Sequence, residues 1–153
     1  TALLDAGQHV GAVPVGSRAL MSLRLEKGYG SWSREYSPEY WPQECGLERL
    51  CRQDKPYLNK DAVMQVLREA PRENMVMLAL NEDDTNASQA DASGGEPIFK
   101  DGLGIGRVTS GGYGYHVGQS LAIGYVAGAG TGVPPPTQVL WFTQPLVVGF
   151  STR

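Results

Sequence analysis

The sequence contains few residues that bind metal ions or react as thiols. Among its 153 residues are two cysteines and two histidines. Cys45 and Cys51 cannot form a disulfide framework, so a reducing compartment is expected. Neither His9 nor His116 has a carboxylate, a cysteine or the other histidine at metal-ligand spacing, so no metal site is predicted. No hydrophobic run is long enough to cross a membrane, so no membrane partner is expected. The net charge of −3 gives no basic footprint, and we expect no nucleic acid partner.

What charge there is lies unevenly along the chain. Residues 1–75 carry ten basic and ten acidic side chains, whereas residues 76–153 carry three and six. This contrast indicates two structural regions within a length that allows one domain or two small ones. Because the sequence begins at Thr1 without a methionine, we expect it to be part of a longer polypeptide.

The first region has the spacing of helices. The densest helical pattern covers residues 16–27. Leu20 and Leu23 lie on its apolar stripe, Met21 and Leu25 widen that stripe, and Gly28 is a left-handed stop. Asn59 predicts the start of another helix over residues 60–70. The remaining predictions of this region are a helix end over residues 2–8 and a short strand or turn over residues 44–52.

A long aromatic loop, residues 29–42, separates these helices. It holds two tryptophans, three tyrosines and two prolines, which fit no regular element. Loops of this length in compact domains are often functional.

The second region has the pattern of short strands. Residues 74–81 are apolar on both faces, as in a buried strand, and Asp101-Gly102 is a hairpin signal between two short runs. Glycine-rich turns between such strands indicate a small barrel or sandwich. The predicted strands are residues 74–81, 97–100, 104–109, 120–126, 137–142 and 145–150, with a polar surface loop over residues 82–96.

The glycines of this region could suggest a nucleotide-binding loop. The dinucleotide fingerprint needs its third glycine three residues after the second, and Gly102, Gly104 and Gly106 do not have that spacing. A strand rather than a helix is also predicted after them. We therefore interpret them as hairpin glycines.

Arg24 lies on the predicted helix next to the aromatic loop. Beside Glu26 and Lys27 it could be a surface charge. It could instead hold a ligand carboxylate, with Tyr29 or Trp32 stacking on a flat ring. The residue types alone leave both interpretations open.

Three segments, taken together, resemble the glycine-cleavage T-protein (aminomethyltransferase) superfamily. Residues 22–32 read SLRLEKGYGSW, similar to the family's RLE-x-G segment. Residues 104–126 contain VTSG, QSLA and GYV in the order of its C-terminal barrel pattern. Residues 45–67 lie between these two segments and are similar to a glycine- and lysine-containing segment of the family. The resemblance covers nearly the whole chain in the right order.

The first segment also resembles one branch of that family. Aminomethyltransferases typically read ARDSLRLEAG, whereas this chain reads ALMSLRLEKG, with Leu20 in place of their arginine. With Arg18 and Tyr29, the stretch is similar to the C-terminal part of dimethylglycine and sarcosine dehydrogenases and oxidases. In those enzymes an FAD portion oxidises an N-methyl amine. A T-protein-like portion then passes the one-carbon unit to tetrahydrofolate, giving 5,10-methylenetetrahydrofolate.

The resemblance implies an α+β fold in two parts. Residues 1–73 would be the end of a ferredoxin-like folate-binding half, and residues 74–153 a small antiparallel Greek-key β-barrel. The first part is expected to lean on the barrel, or on chain outside this sequence, to cover its apolar faces. Residues 137–153 have room for less than the family's final hairpin.

It also implies cofactors, partners and a compartment. The cofactors would be tetrahydrofolate and, on a portion absent from this sequence, FAD. The other partners would be the N-terminal folate and FAD portions or a partner subunit. The protein would work in the bacterial cytoplasm or the mitochondrial matrix.

For the site, the resemblance implies that Arg24 positions folate or locks its helix, and that Tyr29 and Trp32 line the folate cavity. The family's essential aspartate and its pterin-contacting glutamate belong to segments that this sequence does not contain. No catalytic residue is therefore assigned, and we expect this chain alone to be inactive.

Three other functions share the same resemblance. One is a glycine-cleavage aminomethyltransferase, and another is a folate-dependent demethylase of a sulfonium or ether substrate. The third is a non-catalytic regulatory module, because regulatory subunits of the pyruvate dehydrogenase phosphatase type resemble this family too. Tetrahydrofolate binding would distinguish the enzymes from the module.

Overall fold

The computed structural model describes residues 1–80, 91–100 and 102–128, together with the backbone of Val147 and Val148. The strand predicted over residues 137–142 lies outside the described residues, as does most of the loop predicted over residues 82–96. Of the last predicted strand only Val147 and Val148 are described.

The helices lie in the first part of the chain. They are α1 (Ala2–Gly7), α2 (Ser17–Glu26) and α3 (Lys60–Val66), with 3-10 turns at Gln8–Val10 and Glu48–Leu50. Gly16 is the N-cap of α2, and Gly28 has a φ of 66°, which confirms the predicted left-handed stop.

Two predictions in this part are wrong in detail. The helix predicted to reach residue 70 ends at Val66, because its last turn tightens into 3-10-type bonds such as that from the Arg68 amide to Gln65, 3.0 Å. Asn59 is its N-cap residue, but with a φ of 58° its side chain makes no capping bond. Residues 44–52 form turns, one of the two predicted alternatives, including the 3-10 turn at Glu48–Leu50.

The strands form one antiparallel sheet. They are β1 (Glu73–Ala79), β2 (Pro97–Lys100), β3 (Leu103–Gly114), β4 (Gln119–Ala127) and β5 (Val147–Val148), in the order β1-β4-β3-β2-β5. Lys100 pairs with Leu103, which confirms the predicted hairpin. β3 runs five residues past the predicted end at residue 109, because its far half pairs with β4. Among the described strands the sheet is open, with β1 and β5 at its edges.

Close packing of β3 on β4 explains the glycine-rich motif. A Cβ atom at Gly106 would collide with the carbonyl oxygen of Tyr125 on the neighbouring strand. The motif is therefore part of a sheet, as predicted, and not a nucleotide loop.

Successive residues of β4 are buried. Because side chains alternate between the two sides of a strand, both faces of β4 are covered. One face belongs to an apolar core cluster of Val76, Leu78, Leu80, Ala92, Ile98, Ile105, Val108, Ala122 and Val126. On the other face, Leu121, Ile123 and Tyr125 lie toward α2 and the aromatic loop. The aromatic loop thus packs on this face of the sheet.

The apolar stripe of α2 differs from the prediction. Leu20 and Leu23 are 57% and 54% exposed, whereas Leu25 is buried on β3. α2 therefore has a second apolar face that the described residues leave uncovered. In the described part of the chain, no helix has both the length and the hydropathy to cross a membrane.

Candidate functional site

A tight turn at residues 31–36 brings one side chain of the aromatic loop inward and another outward. The amides of Glu35 and Tyr36 donate to the Ser31 carbonyl at 3.1 and 3.0 Å, and the Ser33 amide donates to the Tyr36 carbonyl at 3.0 Å. Trp32 at the tip is 75% exposed, whereas Glu35 is completely buried. The turn therefore places an accessible indole next to a buried carboxylate.

The buried carboxylate of Glu35 joins three parts of the structure. Its Oε2 accepts from Arg24 Nη1 on α2 at 2.9 Å and from the Ser31 amide in the loop at 2.7 Å. Its Oε1 accepts from the hydroxyls of Thr109, at 2.6 Å, and Ser110, both on β3. Both carboxylate oxygens are fully used, which satisfies the condition for burying a charge.

These partners also set the ionisation of Glu35. Burial alone would raise its pKa, because it disfavours the charged form. Hydrogen bonds from Ser110, Thr109 and Ser31, together with the charge of Arg24, outweigh burial and hold the pKa below its ordinary value. Glu35 is therefore an anion near neutral pH and suits anchoring better than proton transfer.

Arg24 is held in place by this anchor. Its side chain is only 10% exposed, and Nη1 also donates to the Tyr29 carbonyl at 3.1 Å. Arg24 is thus a buried partner of Glu35 and not a solvated surface charge. Its Nε is buried and has no partner among the described residues.

The two aromatic candidates are open to solvent. Tyr29 is 62% exposed, compared with 75% for Trp32. The structure thus links Arg24 to the backbone of Tyr29 and leaves both rings accessible. Gly30, between them, is required: a Cβ there would lie 2.7 Å from the Tyr36 ring and 2.8 Å from Glu35 Cβ.

A second buried glutamate, Glu44, fixes the other end of the loop. Arg72 donates to it from Nε at 2.8 Å and from Nη2 at 2.7 Å, and the Trp41 amide donates at 2.8 Å. Burial opposes ionisation, but the hydrogen bonds of Arg72 and Trp41 lower the pKa of Glu44 to about 2. The Arg72 guanidinium also lies 4.5 Å from the centroid of the Trp41 ring, a cation–π contact.

Between these two anchors the loop packs on β4. The rings of Tyr40 and Tyr125 stack with centroids 3.8 Å apart, and the Tyr125 hydroxyl donates to the Glu35 carbonyl at 2.8 Å. Burial raises the pKa of Tyr125, so its hydroxyl stays protonated and remains a donor. Arg107 on β3 donates to the Tyr40 hydroxyl at 2.6 Å and pairs with Glu73 at 2.9 Å.

The anchoring residues were not found by sequence reasoning. Glu35 and Glu44 are acidic residues within an otherwise aromatic stretch, a signal that could have marked them as buried ion-pair partners. Thr109 and Ser110 lie in the VTSG motif, whose resemblance to the barrel pattern does not indicate that its hydroxyls bind a buried carboxylate.

The cysteines are poor candidates for nucleophiles. Cys45 is buried and Cys51 is half-buried, and burial raises the pKa of the Cys45 thiol, which makes it a poor nucleophile. The described residues contain no group of histidine, cysteine, aspartate and glutamate side chains that could hold a metal. The candidate site thus consists of an arginine fixed by Glu35 and two accessible aromatic rings on the adjoining loop.

Most of this sequence matches the models of one known family. The GCVT N-terminal domain family model matches residues 1–55, and the glycine cleavage T-protein C-terminal barrel domain model matches residues 74–138. The chain belongs to the glycine cleavage T-protein superfamily. This confirms the family resemblance, and the division at residues 73 and 74 stays a prediction.

Relatives in this superfamily are much longer than this chain. Human mitochondrial dimethylglycine dehydrogenase is 35% identical over 127 residues, which cover 82% of this chain and 14% of that protein. The mouse mitochondrial pyruvate dehydrogenase phosphatase regulatory subunit is 30% identical over 126 residues, or 81% of this chain and 14% of that protein.

A solved structure shows the same fold. The glycine cleavage system aminomethyltransferase T from Bartonella henselae matches with a TM-score of 0.67 and 25% identity, over 82% of this chain and 36% of that one. The predicted fold class is thus confirmed, with an antiparallel sheet that belongs to the T-protein barrel domain.

Proposed function

We propose that this chain is the tetrahydrofolate-binding portion of an FAD-linked N-methyl amine dehydrogenase of the dimethylglycine or sarcosine type. The observation that carries the proposal is Arg24, which Glu35 fixes at 2.9 Å and which also binds the backbone of the loop that carries the accessible rings of Tyr29 and Trp32. The relationship to dimethylglycine dehydrogenase supports the N-methyl amine as the one-carbon donor.

Each candidate residue has a role that suits its surroundings. Arg24 is fixed by Glu35, and its guanidinium supplies a positive charge for a carboxylate of folate. Tyr29 and Trp32 offer flat, accessible faces on which a pterin or benzoyl ring can stack. Bound tetrahydrofolate supplies the nitrogens that accept the one-carbon unit. These residues bind and orient it.

The proposal also places the chain in a larger protein. Residues 1–73 end the folate-binding half and residues 74–153 form the barrel domain. The N-terminal folate and FAD portions, or a partner subunit, complete the site. The proposed compartment is the mitochondrial matrix or the bacterial cytoplasm, and the mitochondrial name of dimethylglycine dehydrogenase supports the first of these.

A fluorescence titration with tetrahydrofolate tests the proposal in the protein at its natural length. We expect the ligand to quench tryptophan emission, Trp32→Phe to remove most of that change, and Arg24→Leu to weaken binding. Trp41→Phe is the matched control, because Trp41 lies in the same loop but packs against Arg72. A flat titration of the wild type, or equal responses of the two tryptophan variants, would contradict the proposal.

A regulatory, non-catalytic module is the second candidate. The 30% identity over 81% of this chain to the pyruvate dehydrogenase phosphatase regulatory subunit supports it, because that relative is named as a regulatory subunit. For a regulatory module, the same titration should show a folded protein in which tetrahydrofolate leaves the emission of Trp32 unchanged.

A further inference from the structure

We propose that Glu35 is the positioning residue of the tetrahydrofolate site: its carboxylate holds both Arg24 and the turn that carries Trp32 in the arrangement that the ligand meets. This inference rests on the proposed function, since it concerns the same site. It assigns to Glu35 no contact with folate itself.

Geometry distinguishes Glu35 from an ordinary ion-pair partner. A salt bridge to Arg24 alone would need one oxygen, yet Oε2 also receives the Ser31 amide at 2.7 Å. The same oxygen thus joins the guanidinium to the first residue of the turn. Trp32 follows Ser31 directly, so the position of the indole depends on this atom.

The other oxygen fixes the pair to the sheet. Oε1 accepts from Thr109 at 2.6 Å, and Thr109 in turn donates to the Ile123 carbonyl of β4 at 3.0 Å. Because strands β3 and β4 are paired along their length, this oxygen has little freedom to move. A ligand therefore meets an arginine and an indole held at a fixed separation, which lowers the entropy cost of binding.

Glu44 provides a matched control. It is also completely buried and also bound to an arginine and to loop amides, at Arg72 and Trp41. Its hydrogen bonds do not include Arg24 or Ser31. Loss of Glu44 should therefore lower stability without moving the two groups that would face the ligand.

The test compares Glu35→Gln with Glu44→Gln in the protein at its natural length, at a temperature where both are folded. We expect Glu35→Gln to raise the Kd for tetrahydrofolate about tenfold or more, since misplaced binding groups lose affinity steeply. Glu44→Gln should leave that Kd within about twofold while lowering the melting temperature. Equal effects of both variants on the Kd would overturn the inference.

A second readout follows the turn without ligand. In a background where Trp32 is the only tryptophan, Glu35→Gln should lower the fluorescence anisotropy of Trp32, and Glu44→Gln should not. If Glu35→Gln fails to fold, Ser110→Ala removes one Oε1 hydrogen bond and should give a smaller change of the same sign. Unchanged anisotropy and Kd in that variant would contradict the positioning role.

The outcomes separate this inference from the proposed function. If the wild type binds tetrahydrofolate and Arg24→Leu weakens binding, but Glu35→Gln does not, only the positioning role fails. If the wild type does not bind tetrahydrofolate at all, both fail.

Discussion

At the scale of single residues, two fully buried glutamates fix the aromatic loop, Glu35 within it and Glu44 just after its end. Each is paired with one arginine, Glu35 with Arg24 and Glu44 with Arg72, and each also accepts from backbone amides. A buried charge is tolerated only when its hydrogen-bonding capacity is filled in this way. Removing the Glu35 carboxylate leaves the mostly buried Arg24 without its partner, whereas Arg72, the partner of Glu44, is 53% exposed.

Glu44 makes stability depend on pH. Because its pKa is lowered to about 2 in the folded protein, its contribution is present above the unfolded pKa, near 4.3, and is lost as the pH falls toward 2. The difference corresponds to about 3 kcal/mol in the free energy of unfolding. Urea denaturation between pH 6 and pH 2 should show this loss in the wild type.

The same experiment on Glu44→Gln should give a lower stability at pH 6 and a flatter pH dependence. Glu39→Gln is the control, since Glu39 is an exposed glutamate of the same loop. If the wild type and Glu44→Gln lost stability in parallel between pH 6 and pH 2, the account of Glu44 would be wrong.

Gly30 provides a prediction about packing. In Gly30→Ala the new methyl group would lie 2.7 Å from the Tyr36 ring, which is too close for a real contact. We expect a loss of about 1–3 kcal/mol in the free energy of unfolding, together with a higher Kd for tetrahydrofolate. Gly16→Ala is the control because a Cβ there meets nothing within 4 Å, and thermal melts of both variants check the comparison.

At the scale of elements, the sequence predicted what depends on local pattern. The glycine stop at Gly28, the buried strand β1 and the two-residue hairpin around Gly102 each follow from their own residues. The burial of Arg24 could not be predicted, because it depends on Glu35 and on Thr109 of a strand 74 residues further along the chain. The exposed stripe of α2 likewise depends on what covers it, which the helix pattern does not specify.

A contact between α2 and the turn after β3 gives a prediction at this scale. Glu26 Oε1 accepts from the amides of His116 and Val117 at 2.6 and 3.2 Å. Glu26→Ala should remove about 1.5 kcal/mol of local stability. Hydrogen exchange at these two amides should then be about tenfold faster, since a tenfold change corresponds to 1.4 kcal/mol.

The neighbouring variant Lys27→Ala serves as its control, because Lys27 is exposed and adjacent. Unchanged exchange at His116 and Val117 in Glu26→Ala would show that Glu26 does not hold the turn.

At the scale of the whole molecule, the uncovered apolar side chains of the first helices are the main unexplained surface. Leu3 is 87% exposed, Val13 is 74% exposed, and Leu20 and Leu23 are more than half exposed. The chain spans 14% of dimethylglycine dehydrogenase and 36% of the Bartonella henselae aminomethyltransferase. We infer that further protein covers this face in the complete assembly.

That inference predicts that replacing two leucines of α2 has different effects in this chain alone and in the protein at its natural length. In this chain alone, replacing Leu20 and Leu23 by lysine should reduce self-association in size-exclusion chromatography. In the protein at its natural length the same change should lower the melting temperature, because it removes a buried contact. A wild-type chain that is monomeric and highly stable alone would contradict the inference.

The central claim is that this chain holds tetrahydrofolate for a one-carbon unit taken from an N-methyl amine. It is tested most directly by supplying the protein at its natural length with methyl-labelled dimethylglycine or sarcosine and tetrahydrofolate, and following the label. The account predicts label in 5,10-methylenetetrahydrofolate, less of it with Arg24→Leu, and none with this chain alone. Label released only as formaldehyde, in equal amount with and without tetrahydrofolate, would contradict it.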